Sequence, residues 1–191
     1  RAEVESARVV VRKADDDTGA SLVPDGAANA GLEPVHGEDP EAAVTLSVPL
    51  KAAARKARTI GEVSGEIELY VPNVDPSAVV SVPKLRAGAG KPVASPSLAA
   101  LGVEIAFATP QEAEGLPAAA DEVVLKVKDP KGAIEGFYLV DPEGTAWGTN
   151  RESRGGFLVL SSQAEPPGPD WGLRVRLLTP GTLRRYRFAL K

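Results

Sequence analysis

Three consecutive aspartates, Asp15, Asp16 and Asp17, precede Thr18 and Gly19 in the stretch KADDDTGASLVPDG. Calcium takes about six to eight oxygen ligands, several of them carboxylate, on a backbone that turns sharply at a glycine. Asp15 and Asp17 followed by Gly19 begin such a D-x-D-x-G arrangement, with Asp16 as a third carboxylate, so all three are candidate calcium ligands. An EF-hand closes with an acid at the twelfth loop position; counted from Asp15 that position is Gly26, so further oxygens would come from Glu38, Asp39 or Glu41. The structural alternative, and the commoner one, is a turn in which aspartate accepts bonds from its own backbone.

The remaining reactive groups are sparse. The single histidine, His36, lies in GLEPVHGEDP between Pro34 and Pro40 and reads as a loop residue, without the partners that a base or metal ligand requires. RAGAGKP (86–92) suggests a phosphate loop but departs from it twice. Leu85 occupies the position of the first glycine, and Pro92 stands where serine or threonine would hold magnesium. Nucleotide binding is therefore not expected. No G-x-S-x-G is present and no carboxylate pair has a defensible spacing for glycoside hydrolysis, so the sequence reads as non-enzymatic. Two tryptophans, Trp147 and Trp171, could stack on sugar rings, although tryptophan in β-rich chains more often packs at a strand edge or in the core. Arg174, Arg176, Arg185 and Arg187 would share one basic face if Leu173–Leu178 and Leu183–Leu190 formed a hairpin across TPGT (179–182). Such a face could hold a polyanion. The bland account is cross-strand pairing with the glutamates of EVSGEIELYV (62–71), chiefly Glu66 and Glu68.

The elements that must position these residues show a period of two. Val63, Gly65, Ile67, Leu69 and Val71 alternate with Ser64, Glu66, Glu68 and Tyr70, and the same rhythm recurs in LRVRL (173–177) and RRYRFAL (184–190). Alternation of this kind marks strands with one buried and one wetted face. Further strands are expected at Val4–Arg12, Ala43–Val48, Ala78–Val82, Val103–Ala108, Glu122–Lys128, Ile134–Val140 and Gly156–Ser161. Turn signals VDPS (74–77), KDPKG (128–132) and VDPEG (140–144) separate them. Two short helices are expected, Ser95–Leu101 and Thr109–Glu114, each with a hydroxyl cap followed by proline. Lys51–Thr59 has helical propensity without an apolar face and reads as a loop or basic surface strand. The fold class expected is all-β, an antiparallel immunoglobulin-like sandwich with one or two helical turns. It is read as a single domain over 1–191, the alternative being two β-modules, 1–110 and 121–191, joined through the polar Gln111–Asp121 stretch.

Composition sets the outer bounds. The 191 residues are 43% hydrophobic and 25% charged, a globular balance, with only 5% aromatics. Seven of the nine aromatics fall between Phe137 and Phe188, which places the better-filled core in the C-terminal half. The chain has no cysteine, which excludes disulfides and thiol chemistry, and with one histidine it offers too few of zinc's usual ligands, so no zinc site is expected. No apolar run approaches the ~18 residues of a membrane helix. The chain lacks methionine and opens on Arg1, as expected of a processed piece of a longer product. Charge is unevenly spread: residues 1–50 hold four basic and ten acidic groups, whereas 171–191 hold six basic groups and no acid. Nucleic-acid binders usually add exposed aromatics to a basic face, so nucleic acid is not the expected partner.

The strand-turn Ala14-Asp15-Asp16-Asp17-Thr18-Gly19, the segment 57–72, the Leu-Val-Asp-Pro-Glu-Gly of 139–144 and the closing segments 171–176 and 186–190 resemble a loosely defined group of uncharacterised exported bacterial β-rich proteins. The resemblance spans most of the chain. It implies a periplasmic, envelope or cell-surface location, with a protein or envelope polysaccharide as partner, and supplies no catalytic residue.

Overall fold

A computed structural model describes residues 4–26, 31–35, 45–48, 50–85, 90–114, 122–163 and 165–190. In chain order the strands are β1 (Ser6–Asp16), β2 (Glu33–Pro34), β3 (Ile60–Tyr70), β4 (Val79–Val82), β5 (Glu104–Phe107), β6 (Val123–Lys128), β7 (Ile134–Val140), β8 (Ala146–Arg154), β9 (Phe157–Ser162), β10 (Gly172–Leu177) and β11 (Leu183–Leu190). Two short helices interrupt them, α1 (Pro96–Leu101) and α2 (Pro110–Ala113). The fold class is all-β, built from two antiparallel sheets.

The chain divides into two compact units, Arg1–Val74 with Pro180–Lys191, and Asp75–Thr179. The first holds a four-stranded sheet in the order β11-β3-β1-β2. Register puts Arg8, Glu68 and Arg185 on one face, and Val9, Ile67 and Tyr186 on the other. A bulge interrupts β1 between Val11 and Lys13, with Gly65 opposite Val11. The partner strand comes so close there that a Cβ on Gly65 would stand 2.2 Å from the Val10 carbonyl oxygen. Only glycine fits, as at many bulges. The core below this sheet is small: Val11, Ala14 and Leu22 are buried, with Val9, Val23, Val48, Leu50 and Val63 packed against them. Expected strand Ala43–Val48 is not formed over 45–48; that stretch is irregular, and Val48 reaches the core from it. Residues 43 and 44 lie outside the described residues.

The second unit holds a seven-stranded sheet in the order β4-β10-β7-β8-β9-β6-β5. Strand β8 joins its halves: Ala146–Gly148 pair with β7, and Thr149–Arg154 with β9. Strands from both halves contribute to one core cluster, with Val80, Phe137, Leu139, Leu173 and Val175 from one and Ile105, Phe107, Leu125 and Leu160 from the other. A flat sheet of this width could not gather them, so the sheet curls around its own core in a sandwich-like way. Helix α1 begins after Ser95 and stops at Gly102, which adopts φ +72°, a conformation open to glycine at little cost. Helix α2 carries a capping box, in which Thr109 Oγ1 accepts from the Glu112 amide and Glu112 Oε2 from the Thr109 amide.

The hairpin of β10 with β11 is corrected. Strand β10 pairs with β4 and β7, whereas β11 pairs with β3 in the other sheet. The reason is local complementarity: Arg185 and Arg187 of β11 meet Glu68 and Glu66 of β3, which β10 could not offer them.

Candidate functional site

The aspartate run sits at the end of β1 and does three different things. Asp16 is buried, and its carboxylate is surrounded by donors. Oδ1 accepts from the Thr18 amide (2.9 Å), the Thr18 hydroxyl (2.6 Å) and the Ala20 amide (3.0 Å), and Oδ2 accepts from the Ala54 amide (2.9 Å). The Thr18 hydroxyl first, with the Ala54 amide next, pulls its pKa down to about 2. Asp17 accepts from the Arg58 amide through both oxygens, at 3.1 and 3.2 Å. Asp15 lies in register with Glu62, and Lys13 serves both, 2.7 Å from Glu62 and 3.8 Å from Asp15. An ion at this turn would have to displace the donors already on Asp16 and Asp17. No group of three or more His, Asp or Glu side chains able to hold a metal occurs among the described residues. His36, Glu38, Asp39 and Glu41 lie outside them. So do residues 86–89 of the glycine-rich stretch, whose Gly90 amide bonds to the Phe107 carbonyl.

The three Asp-Pro turns show the same economy. Asp75 accepts from Ser77 and Thr179, Asp129 from the Ala133 and Ile134 amides, and Asp141 from the Thr145 amide and the indole of Trp147. Trp147 is thus half-buried and tied to its own turn at 2.9 Å, packed against the large core. Trp171 is a core residue, 5% exposed. Arg174 and Arg176 project from β10, where the Arg176 guanidinium lies 4.0 Å from the centre of the Tyr138 ring.

Arg185 and Arg187 stand apart on β11. Arg185 Nε donates to Glu68 Oε1 at 2.7 Å, while Arg8 Nε donates to Glu68 Oε2 at 2.6 Å. Burial pushes the Glu68 carboxyl up, but the hydrogen bonds and charges of the two arginines outweigh it and hold the group below the usual carboxylate range. Glu66 makes the parallel bridge, 3.3 Å from Arg12 and 3.7 Å from Arg187. The Arg187 side chain is nonetheless 90% exposed, and that of Arg185 58%.

Among the described residues, strand β11 is also the end of its sheet. Its second face carries the exposed Arg184 together with Tyr186 and Leu190, 56% and 64% exposed, which are large apolar side chains in water. An end strand presents alternate N–H and C=O groups without a ladder partner, and these can accept another strand. What sequence reasoning missed is that β11 is an edge. Alternation gives a strand its faces but not its place in the sheet order; three arginines on eight residues were the available signal, since edges are commonly charged.

A concavity lies in the other unit. A cleft of about 500 Å³ opens between α1 and the β5–β6 pair, floored by Leu98, Val103, Ile105 and Val127. Its rim lysines are already neutralised, Lys128 by Glu104 at 2.7 Å and Lys126 by Glu112.

Compared with known proteins, the chain matches no family model, no curated protein and no solved structure.

Proposed function

We propose that the protein is a non-enzymatic binding or structural module of an exported bacterial envelope or surface protein, engaging a protein or envelope polymer through the free side of β11. The observation that carries this reading is the edge strand itself, with Tyr186, Arg187 and Leu190 in solvent on a hydrogen-bonded sheet. An edge strand suits binding, where main-chain bonds give affinity and alternate side chains give selectivity.

The rival reading, a carbohydrate- or polyanion-binding module, draws on the exposed Arg187 guanidinium. Amide hydrogen exchange of the full chain, with envelope polysaccharide and envelope protein added separately, distinguishes them. Slowed exchange confined to β11 with the protein fraction is expected. Slowing elsewhere, or with polysaccharide alone, would remove β11 as the protein-docking element. Turnover of a glycoside or ester that survives purification would overturn the non-enzymatic reading altogether.

A further inference from the structure

We infer that the outer edge of β11 accepts an extended polypeptide strand with carboxylates at alternate positions and apolar side chains between them. The inference rests on the binding-module reading and adds to it the chemistry of the partner.

The inner edge of β11 already holds such a strand. Across the ladder, Glu66, Ile67 and Glu68 of β3 face Arg187, Tyr186 and Arg185. A strand added on the outer side meets the same side chains in the same alternation, because successive residues point to opposite faces whichever edge is approached. Both arginines retain capacity for it. Arg187 is 3.7 Å from Glu66 and almost wholly exposed, and Arg185 uses its Nε on Glu68 while more than half the side chain stays in water. A guanidinium has five N–H donors, so one carboxylate does not exhaust it. On the opposite face, the exposed Tyr186 and Leu190 would be covered by the apolar residues of the incoming strand.

A second copy of this chain is opposed by charge in the register that pairs Tyr186 with Tyr186. An antiparallel pair of β11 strands centred on Tyr186 would set Arg185 directly against Arg187 twice over, and like charges placed opposite one another are destabilising. An acidic strand reverses that sign. A sulfated polysaccharide would satisfy the arginines but would leave the backbone groups and the Tyr186–Leu190 face unused.

The test uses the isotopically labelled chain of residues 1–191 and three probes: a synthetic peptide of the sequence EVSGEIELYV, the same peptide with every glutamate replaced by lysine, and heparin. The acidic peptide is expected to shift the backbone amides of Leu183–Leu190, with the lysine peptide binding about tenfold or more weakly. Arg187→Glu is expected to weaken the acidic peptide and strengthen the lysine one, a reversal that misfolding cannot produce. Equal binding of both peptides, amide shifts outside β11, or a response to heparin without one to the acidic peptide would each overturn the inference. Failure of all three probes while envelope protein still slows exchange in β11 would leave the binding module standing and discard only the acidic strand.

Discussion

The two units hold their sheets together by different means. In Asp75–Thr179 a curled seven-stranded sheet closes on a continuous apolar core that includes Phe107, Phe137 and Trp171. In the unit of residues 1–74 and 180–191 the apolar cluster is smaller, with Val11, Ala14 and Leu22 buried in it, and Ala7, Val10, Tyr70 and Val71 are buried outside that cluster. There the strands are joined side to side by charge, Arg8–Glu68–Arg185 and Arg12–Glu66–Arg187, and the end of β1 is fastened through Asp16. The first arrangement uses the non-directional, area-proportional hydrophobic term. The second adds directional bonds from strand to strand and, among the described residues, leaves one edge uncovered. A sheet held in that way can leave a strand open to a partner.

Substitutions in the two cores test this contrast most strongly. Leu139, wholly buried in the large cluster, is expected to cost about 2–5 kcal/mol as Leu139→Ala. Val11→Ala in the small cluster should cost only about 1–2 kcal/mol. Both tryptophans lie in Asp75–Thr179. Their fluorescence during urea unfolding should therefore move for Leu139→Ala, and equal losses for the two variants would break the comparison. Gly65→Ala comes next. Its Cβ would collide with the Val10 backbone at the bulge, and a loss of about 1–3 kcal/mol is expected from equilibrium unfolding followed by far-ultraviolet circular dichroism. Unchanged stability would mean that the bulge is not held as described. Glu68→Ala leaves two arginines without their shared carboxylate. About 2 kcal/mol is expected, less than the ~3–5 of a fully buried pair, because solvent screens the half-exposed Arg185.

The smallest effect is a pH dependence. Asp16 and Glu112, one in each unit, have folded pKa values of about 2, below their ordinary values of 3.8 and 4.5. A depressed carboxylate contributes stability that is complete above its unfolded pKa and is lost as pH falls toward the folded one. Stability should therefore decline between roughly pH 4.5 and 2. Asp16→Asn should flatten part of that decline, and Glu112→Gln another part. Decline with an unaltered slope in both variants would assign acid sensitivity to other groups.

Much of the architecture is legible in the sequence because strand faces follow from a period of two. Residues 134–140 match β7 at both ends, and both helices start where expected, although only Thr109 caps with its hydroxyl; Ser95 holds the N-cap position without a side-chain bond. Strand β8 was missed: AWGTNRESR has no apolar alternation, and its strand character comes from two neighbours that supply ladder partners at successive stretches. Tyr70 and Glu68 also escape the pattern, since both belong to the polar face of β3 yet are buried. The charge pairing of Glu66 and Glu68 with Arg187 and Arg185 was visible as one of two options, because opposite charges on two alternating strands suggest each other. Which strands became neighbours was not visible. That is a long-range outcome, with β3 and β11 separated by the whole of Asp75–Thr179.

Residue-resolved hydrogen exchange on the free protein tests most directly whether β11 is an open edge. Amides of β11 bonded to β3 should be protected, and the alternate ones between them should exchange close to loop rates, while the interior strands β7 and β9 are protected along their paired lengths. Uniform protection from Leu183 to Leu190 would contradict the account, because the outer edge would then already have a partner.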